Sequence, residues 1–467
     1  MKKQTMLRLA ALSGVPFLMV LGNSMLIPVF PKMQSVLHIT QMKAGLLITA
    51  FSIPAGITIP FAGFLSDRVG RLKIIIPALI VYGAGGLIAG AAALLMKQPY
   101  YVILGARILQ GIGAAGTAPV AMALVGDIFK SKERTKALGI IEAANGLGKV
   151  ASPILGSLIA LIIWYAPFFV YGVLSIPIAL AVYFMVKEPE AKGQTKGVKQ
   201  YFQALGDVAR TKGLSLAALF LGGMVVLFLL FGVLVYLSDI LEKKYKIEGV
   251  LKGSILAIPV FTMAITSSLS GFFLQKRRPW MKAVISVGLG LITASLAAAA
   301  FFKSTVMFFA AMSVVGIGSG LVLPSLNTLV TSATSLQQRG AVTSVYGSVR
   351  FFGVAIGPPV FNLLAKYGSK ALFLAASGVG GVALLAAIFL INQQKILGGG
   401  QAPAGQKAQK AGKELPSAGE SEAGESEVED LRGGVTVEAS GEPAGETGAE
   451  GGEEEAGEEN PWVLGIW

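Results

Sequence analysis

Long apolar stretches separated by short charged segments dominate the chain up to residue 392. A helix of about 20 apolar residues is long enough to cross the hydrocarbon core of a bilayer. Counted at this length, the sequence predicts twelve crossings, named here spans one to twelve. They cover residues 8–30, 42–65, 74–96, 101–129, 136–163, 166–186, 214–239, 250–274, 282–302, 304–330, 340–365 and 370–392. The pattern therefore predicts an all-α integral membrane protein.

Composition agrees with this fold class and excludes several kinds of chemistry. Hydrophobic residues make up 54% of the chain and charged residues 14%, against about 25% charged in soluble domains. The absence of cysteine excludes thiolate metal sites and thiol nucleophiles. The single histidine, His38, follows span one, and we expect a solvated loop residue in preference to a proton-coupling group. A phosphate-binding loop and a nucleophile elbow are also missing, so we expect no enzyme activity and no cofactor.

The distribution of charge predicts the orientation in the membrane. The chain has 39 Lys/Arg and 26 Asp/Glu, of which residues 398–467 hold 4 and 16. Loops on the predicted inner side hold 21 Lys/Arg and outer loops hold 10. The basic excess therefore belongs to membrane loops, not to a nucleic-acid surface, and it places both termini in the cytoplasm. One outer segment opposes the trend with four lysines: Lys243, Lys244, Lys246 and Lys252.

The turn between spans two and three carries the clearest motif, running from Gly63 to Lys73 as GFLSDRVGRLK. Charges this dense are costly in lipid and cheap at the water surface. The spacing G-x-x-x-D-R-x-G-R-x-K resembles a loop signature of the major facilitator superfamily. That resemblance implies a twelve-helix transporter in which Arg68 pairs with Asp127, while Asp67 faces the end of span eleven and latches the two halves when the cavity faces outward. The expected gating residues are Gly63, Asp67, Arg68, Gly70, Arg71 and Asp127. The alternative is a loop that only sets topology.

An internal repeat supports a division into halves. At an offset of 205 residues, nine glycine, proline and arginine positions recur: 54/259, 83/288, 85/290, 111/316, 113/318, 119/324, 134/339, 148/353 and 153/358. Glycine and proline determine how closely helices approach and where they bend, so a shared pattern predicts shared helix geometry. The resemblance implies two six-helix bundles related by a pseudo-two-fold axis along the membrane normal. We expect bundles at 1–190 and 214–395, a cytoplasmic linker at 191–213 and a disordered acidic tail at 396–467.

Four charged residues lie well inside the spans, away from their ends, where they are expensive unless they face a polar cavity. Arg107 lies in span four and Arg350 in span eleven. Glu142 and Lys149 lie seven residues apart on one face of span five, separated by about 10 Å. Glu142 is the only acidic residue well inside a span, so we expect it to bind the exchanged proton, with Arg107 and Lys149 as coupling partners. The alternatives are a structural ion pair in span five and an arginine tied to backbone carbonyls.

Span five also resembles the antiporter signature of exporter branches, G-x-x-x-G-P-x-x-G-G. The matching residues are Gly148, Ser152, Pro153, Gly156 and Ser157, with serine in place of two glycines. Serine is still small enough for close helix packing. A similar pattern recurs in span eleven, so the resemblance favours export over import.

We expect the substrate cavity to lie between the halves, as the resemblance implies. Its expected lining residues are Asn23, Met25, Gln110, Asn145, Lys149, Phe228, Phe231, Tyr236, Asn327, Tyr346 and Arg350. Three cations against one acid favour neutral or anionic amphiphiles over cations. We therefore expect a monomeric, proton-coupled exporter of small amphiphiles in the inner membrane. The alternatives are an exchanger or importer of an organic anion, such as a siderophore-like metabolite, and a receptor or scaffold with a transporter fold.

Overall fold

The computed structural model describes residues 3–129, 131–188, 198–302, 304–334 and 339–398. Most of the predicted acidic tail and the first part of the predicted linker lie outside these residues. The division into domains at residues 190 and 214 stays a prediction.

All twelve predicted spans are present as helices long and apolar enough to cross a membrane. Span one is split into Lys3–Ser24, a 3-10 turn Ile27–Val29 and Phe30–Leu37, and span four into Tyr100–Ala115 and Ala118–Ile128. The other spans, in order, are Gln41–Val69, Leu72–Leu95, Ser131–Ile162, Ala166–Met185, Val198–Lys243, Gly249–Lys276, Met281–Ala299, Thr305–Ser332, Arg339–Ala365 and Ser369–Leu390. A 3-10 turn Arg278–Trp280 precedes span nine, and a short helix Gln393–Gly398 follows span twelve. The all-α membrane fold is confirmed.

The break in span one follows from its prolines. Pro28 and Pro31 are the second residues of the 3-10 turn and of the following helix, in the first turn, where a missing backbone N–H is tolerated. The helix therefore continues past the predicted end at residue 30 and stops at His38, whose φ is 50°. His38 is exposed, as predicted. The break leaves carbonyls near Pro28 free to accept hydrogen bonds from other spans.

The sequence repeat corresponds to a repeat in packing. Gly111 of span four lies against the backbone of Phe51 in span two, and Gly316 of span ten lies against the backbone of Pro259 in span eight. Glycine is required at both because an added Cβ would overlap the neighbouring carbonyl. In the same way, Gly148 of span five lies against Phe17 of span one, and its counterpart Gly353 of span eleven lies against Met224 of span seven. Corresponding helices of the two six-helix halves therefore pack alike.

The halves meet where span two contacts span eleven and where span five contacts span eight. Thr49 Oγ1 donates to the Ala355 carbonyl over 2.6 Å. Ser348 Oγ donates to the carbonyl of Gly56, and Asn362 Nδ2 to that of Gln41 over 3.0 Å. Side chain to backbone bonds of this kind join the halves along the length of spans two and eleven.

Candidate functional site: a cationic cleft between the halves

Spans five and eight touch at one end of the bundle and separate toward the other. We call these the His38 end and the Asp67 end, after the residues in the connections there. At the His38 end, a Cβ added to Gly253 would lie 2.8 Å from Ser157 Cβ. Gly139 and Gly271 lie on the same helix faces about five turns away, and among the described residues nothing comes within 4 Å of an added Cβ at either. A cleft therefore opens between the halves toward the Asp67 end.

Span five has three distinct sides. Gly148 and Gly156 pack against span one. Pro153 and Ser157 pack against Gly253 of span eight. A third side, which includes Leu158, is exposed and apolar, as expected for a surface facing lipid.

The polar residues of span five lie between the two packed sides. At about 100° per residue, Glu142 and Lys149 point away from the exposed apolar side and toward the cleft. Glu142 is exposed, and Asn145 and Lys149 are half-buried. The structure thus brings these three predicted site residues together on one wall of the cleft.

Arg350 of span eleven adds a second positive charge on the wall of the cleft that faces span five. Gly353 and Gly357 of this helix pack on span seven, while Ser348 bonds to span two. The exposed apolar Ile356 lies on a different side, so Arg350 points toward the cleft. Its position is the counterpart of Asn145 in the internal repeat.

The charges in the cleft interact without forming close pairs. Lys149 interacts electrostatically with both Glu142 and Arg350. Ion pairs within 4.0 Å, in the part of the chain that the structure describes, involve other residues: Asp67, Arg71, Asp127, Asp239, Glu242, Lys243 and Lys252. The alternative of a close structural pair between Glu142 and Lys149 is therefore not seen, and the cleft carries two cations against one carboxylate.

Arg107 occupies a different, fully buried site within the first half. Its Nε donates to the Leu47 carbonyl over 3.2 Å, Nη1 to Gln110 Oε1 over 2.5 Å and Nη2 to Asn23 Oδ1 over 2.9 Å. The guanidinium also lies 4.4 Å from the Phe51 ring centroid. These neutral partners tie spans one, two and four together. In this conformation Arg107, Gln110 and Asn23 are buried away from the cleft, and their predicted roles in coupling and substrate binding stay predictions.

The other expected cavity residues divide by exposure. Asn327 is exposed and Phe231 half-buried. Four residues are buried in helix contacts: Met25 under Gly156, Phe228 against Phe361, Tyr236 against Phe373 of span twelve and Tyr346 against Phe220. These four side chains pack against other helices in this conformation, and their roles as cavity residues stay predictions.

The loop at the Asp67 end uses Arg71 where the resemblance implied Arg68. Arg71 Nη1 lies 2.5 Å from Asp67 Oδ1, and Arg71 Nε lies 3.1 Å from Asp127 Oδ2. Arg68 lies over the Phe64 ring, with Cζ 4.8 Å from its centroid. The reason is Gly70, whose φ of 108° is readily adopted only by glycine. The chain reverses there and carries Arg71 toward the end of span four.

The same loop contacts span eleven of the other half. A Cβ on Gly63 would lie 2.8 Å from Ser344 Oγ, and one on Gly340 would lie 3.9 Å from Asp67 Oδ2. Asp67 thus faces the first turn of span eleven. The Glu188 carboxylate accepts hydrogen bonds from the backbone N–H groups of Arg71 and Leu72, at 2.5 and 3.1 Å, which fixes the turn.

At the His38 end, sequence reasoning missed Lys252. It was counted among loop charges, but the structure places it in the first turn of span eight with its side chain 2% exposed. Its Nζ donates to the Pro28 carbonyl over 2.7 Å and pairs with Glu242 Oε2 at 2.7 Å. We call Lys252, Glu242 and Pro28 the Lys252 clamp. The proline break in span one was the available signal, because it frees the carbonyl that Lys252 binds. The clamp joins spans one, seven and eight and closes the cleft at this end.

Comparison with known proteins agrees with this architecture. A sequence model of the Major Facilitator Superfamily matches residues 12–358 and 282–429. The chain is 42% identical over 392 residues to the bacillibactin exporter of Bacillus subtilis (strain 168), covering 84% of this chain and 98% of that one. It is 28% identical over 367 residues to multidrug resistance protein 2 of the same strain, covering 75% and 88%. Its fold matches the structure of a bacterial homologue of the human lysosomal transporter Spinster in an inward-facing, unoccupied conformation. The TM-score is 0.67 and the sequence identity 19%, and the match covers 86% of this chain and 100% of that one. The chain is therefore a transporter of the Major Facilitator Superfamily and not an enzyme.

Proposed function

We propose that this transporter exports bacillibactin or a closely related small molecule from the cell in exchange for protons. The observation that carries the proposal is the 42% identity to the bacillibactin exporter over 98% of that protein's length. The multidrug resistance relative is more distant, at 28%, which favours a narrow substrate range over broad drug efflux.

The geometry supports transport by alternating access. Between spans five and eight the cleft opens at the Asp67 end, while spans two and eleven stay in contact there near Gly63 and Ser344. The positive-inside rule assigns this end to the cytoplasm along with both chain termini. Substrate enters there while the Lys252 clamp holds the His38 end closed. Release of the clamp, with approach of spans five and eight near Gly139 and Gly271, then opens the opposite side. Open space at both glycines leaves room for that approach.

Glu142 is the proposed proton carrier. It is exposed, and no ion pair within 4.0 Å joins it to another described residue, so its carboxylate is accessible from the cleft. Its charge acts on Lys149, so protonation of Glu142 changes the electrostatic field that a charged substrate meets in the cleft. In an exchange cycle the two ligands alternate: the substrate leaves the cell while Glu142 is ionised, and the carrier returns with Glu142 protonated.

Uptake of bacillibactin into inverted membrane vesicles tests the proposal. Vesicles with an acidic interior should accumulate the compound when they contain the protein, and dissipation of the gradient should abolish accumulation. Glu142→Gln should lose gradient-driven accumulation but retain exchange of labelled for unlabelled substrate. Glu133→Gln is the matched control, because Glu133 is an exposed carboxylate in the first turn of the same helix. Uptake no greater than in vesicles without the protein would reject the substrate, and gradient-independent accumulation would reject proton coupling.

A further inference from the structure

We infer that Arg350 and Lys149 together form an oxyanion site, which binds a negatively charged oxygen group of the transported molecule. The inference deepens the proposed function by naming the chemical class of the substrate. It rests on the proposed function in one respect, that the bound ligand is the molecule that the protein transports. The charged oxygen group would be a carboxylate, a phenolate or a similar group.

The two cations come from different halves and face the same space. Lys149 lies on the cleft side of span five and Arg350 on the cleft side of span eleven. Two like charges that interact across an opening repel each other, so these two cations favour separation of the cleft walls. An anion placed between them would replace that repulsion with two attractions.

Arg350 has a hydrogen-bonding capacity that the described residues do not satisfy. Its Nε is buried and has no acceptor among the described residues, which is unfavourable for a buried donor. Its guanidinium lies 5.5 Å from the ring centroid of Tyr346 one turn earlier, and this contact favours a fixed orientation of the planar group. A guanidinium presents two parallel N–H donors to a carboxylate or similar group. An oxyanion of the ligand is therefore the acceptor that fits.

Arg107 is an intramembrane arginine of the same chain in which each guanidinium nitrogen has an acceptor within the protein. Its Nε and both terminal nitrogens donate to protein oxygens. Arg107 is fully buried, whereas Arg350 is half-buried and points to the cleft. Of these two arginines, only Arg350 has an unpartnered donor and is itself partly exposed.

The site also offers a physical link between binding and conformational change. An anion held by Lys149 and Arg350 at once draws span five toward span eleven. A ligand that binds the closed cleft better than the open one shifts the population toward closure. A neutral analogue of the same shape would not supply this attraction, so charge and closure should be linked.

Direct binding to the purified full-length protein in lipid nanodiscs tests the inference without any transport step. The probes are dansylglycine, which ends in a carboxylate, and dansylglycinamide, its neutral amide. Fluorescence titration should show at least tenfold tighter binding of the acid. The preference should fall below threefold in Arg350→Gln and in Lys149→Gln, and it should persist in Lys136→Gln, which removes an exposed lysine at the end of the same helix.

A charge reversal keeps the test independent of simple loss of folding. Arg350→Glu should bind the cationic probe dansylethylenediamine more tightly than the carboxylate, a gain that a misfolded protein cannot show. Equal affinity of the wild type for acid and amide, no binding of the acid, or an acid preference that survives both neutral variants would overturn the inference. None of these outcomes depends on whether bacillibactin is exported, so the two proposals can fail separately.

Discussion

Replacing Lys252 by methionine should open the His38 end of the cleft. The variant keeps the length and apolar stem of the side chain but removes the ammonium that joins Glu242 to the Pro28 carbonyl. Removing one partner of a fully buried ion pair costs about 3–5 kcal/mol. The Glu242 side chain is 21% exposed and regains part of its hydration, so we expect a smaller loss of about 2 kcal/mol. That loss corresponds to a roughly 30-fold shift toward the state open at the His38 end.

Distance measurement between spin labels checks this expectation. The chain contains no cysteine, so labels can be attached to introduced cysteines without background. Labels at Val36 and Lys366, both exposed near the His38 end in different halves, should show a new population at longer distance in Lys252→Met. The control is Lys244→Met, whose exposed lysine lies over the ring of the neighbouring Tyr245 and should contribute about 0–1 kcal/mol. Identical distance distributions in wild type and Lys252→Met would refute the clamp.

Two further substitutions address the loop and the helix packing. Arg71→Ala should slow transport in the vesicle assay several-fold with little loss of folded protein. The reason is that Asp67 and Asp127 lose the arginine side chain that bridges them. The control is Lys73→Ala, because Lys73 is exposed in the next turn, and this variant should transport normally. Gly111→Val should lower the melting temperature of the purified protein, since even a Cβ there would overlap the Phe51 carbonyl. The matched control is Gly105→Val, where an added Cβ meets nothing within 4 Å, and equal melting temperatures in the two variants would refute the packing argument.

The sequence predicts the helices well because the requirement that creates them is local. A segment that crosses lipid must satisfy its own backbone and present apolar side chains, so length and composition suffice to locate it. The glycine and proline repeat adds tertiary information, because those residues mark where backbones approach. The packing of Gly111 and Gly316 on equivalent helices confirms that interpretation.

Pairings between distant residues were less predictable. The spacing of the Gly70 loop indicates a tight turn, but the φ of one glycine decides whether Arg68 or Arg71 reaches Asp127. Lys252 looked like a loop charge because hydropathy cannot show that a broken helix elsewhere offers a carbonyl. Arg107 was correctly identified as requiring partners, but those partners are amides and a carbonyl in its own half, and composition cannot indicate which side of a helix faces the cleft.

Paired distances at the two ends of the bundle, recorded on one protein, measure alternating access most directly. Labels at Lys136 and Arg277 report on the Asp67 end, and labels at Val36 and Lys366 on the His38 end. When bacillibactin and a proton gradient are supplied in proteoliposomes, the first distance should shorten as the second lengthens. Two distances that stay fixed, or that lengthen together, would contradict a cleft that opens alternately to the two sides.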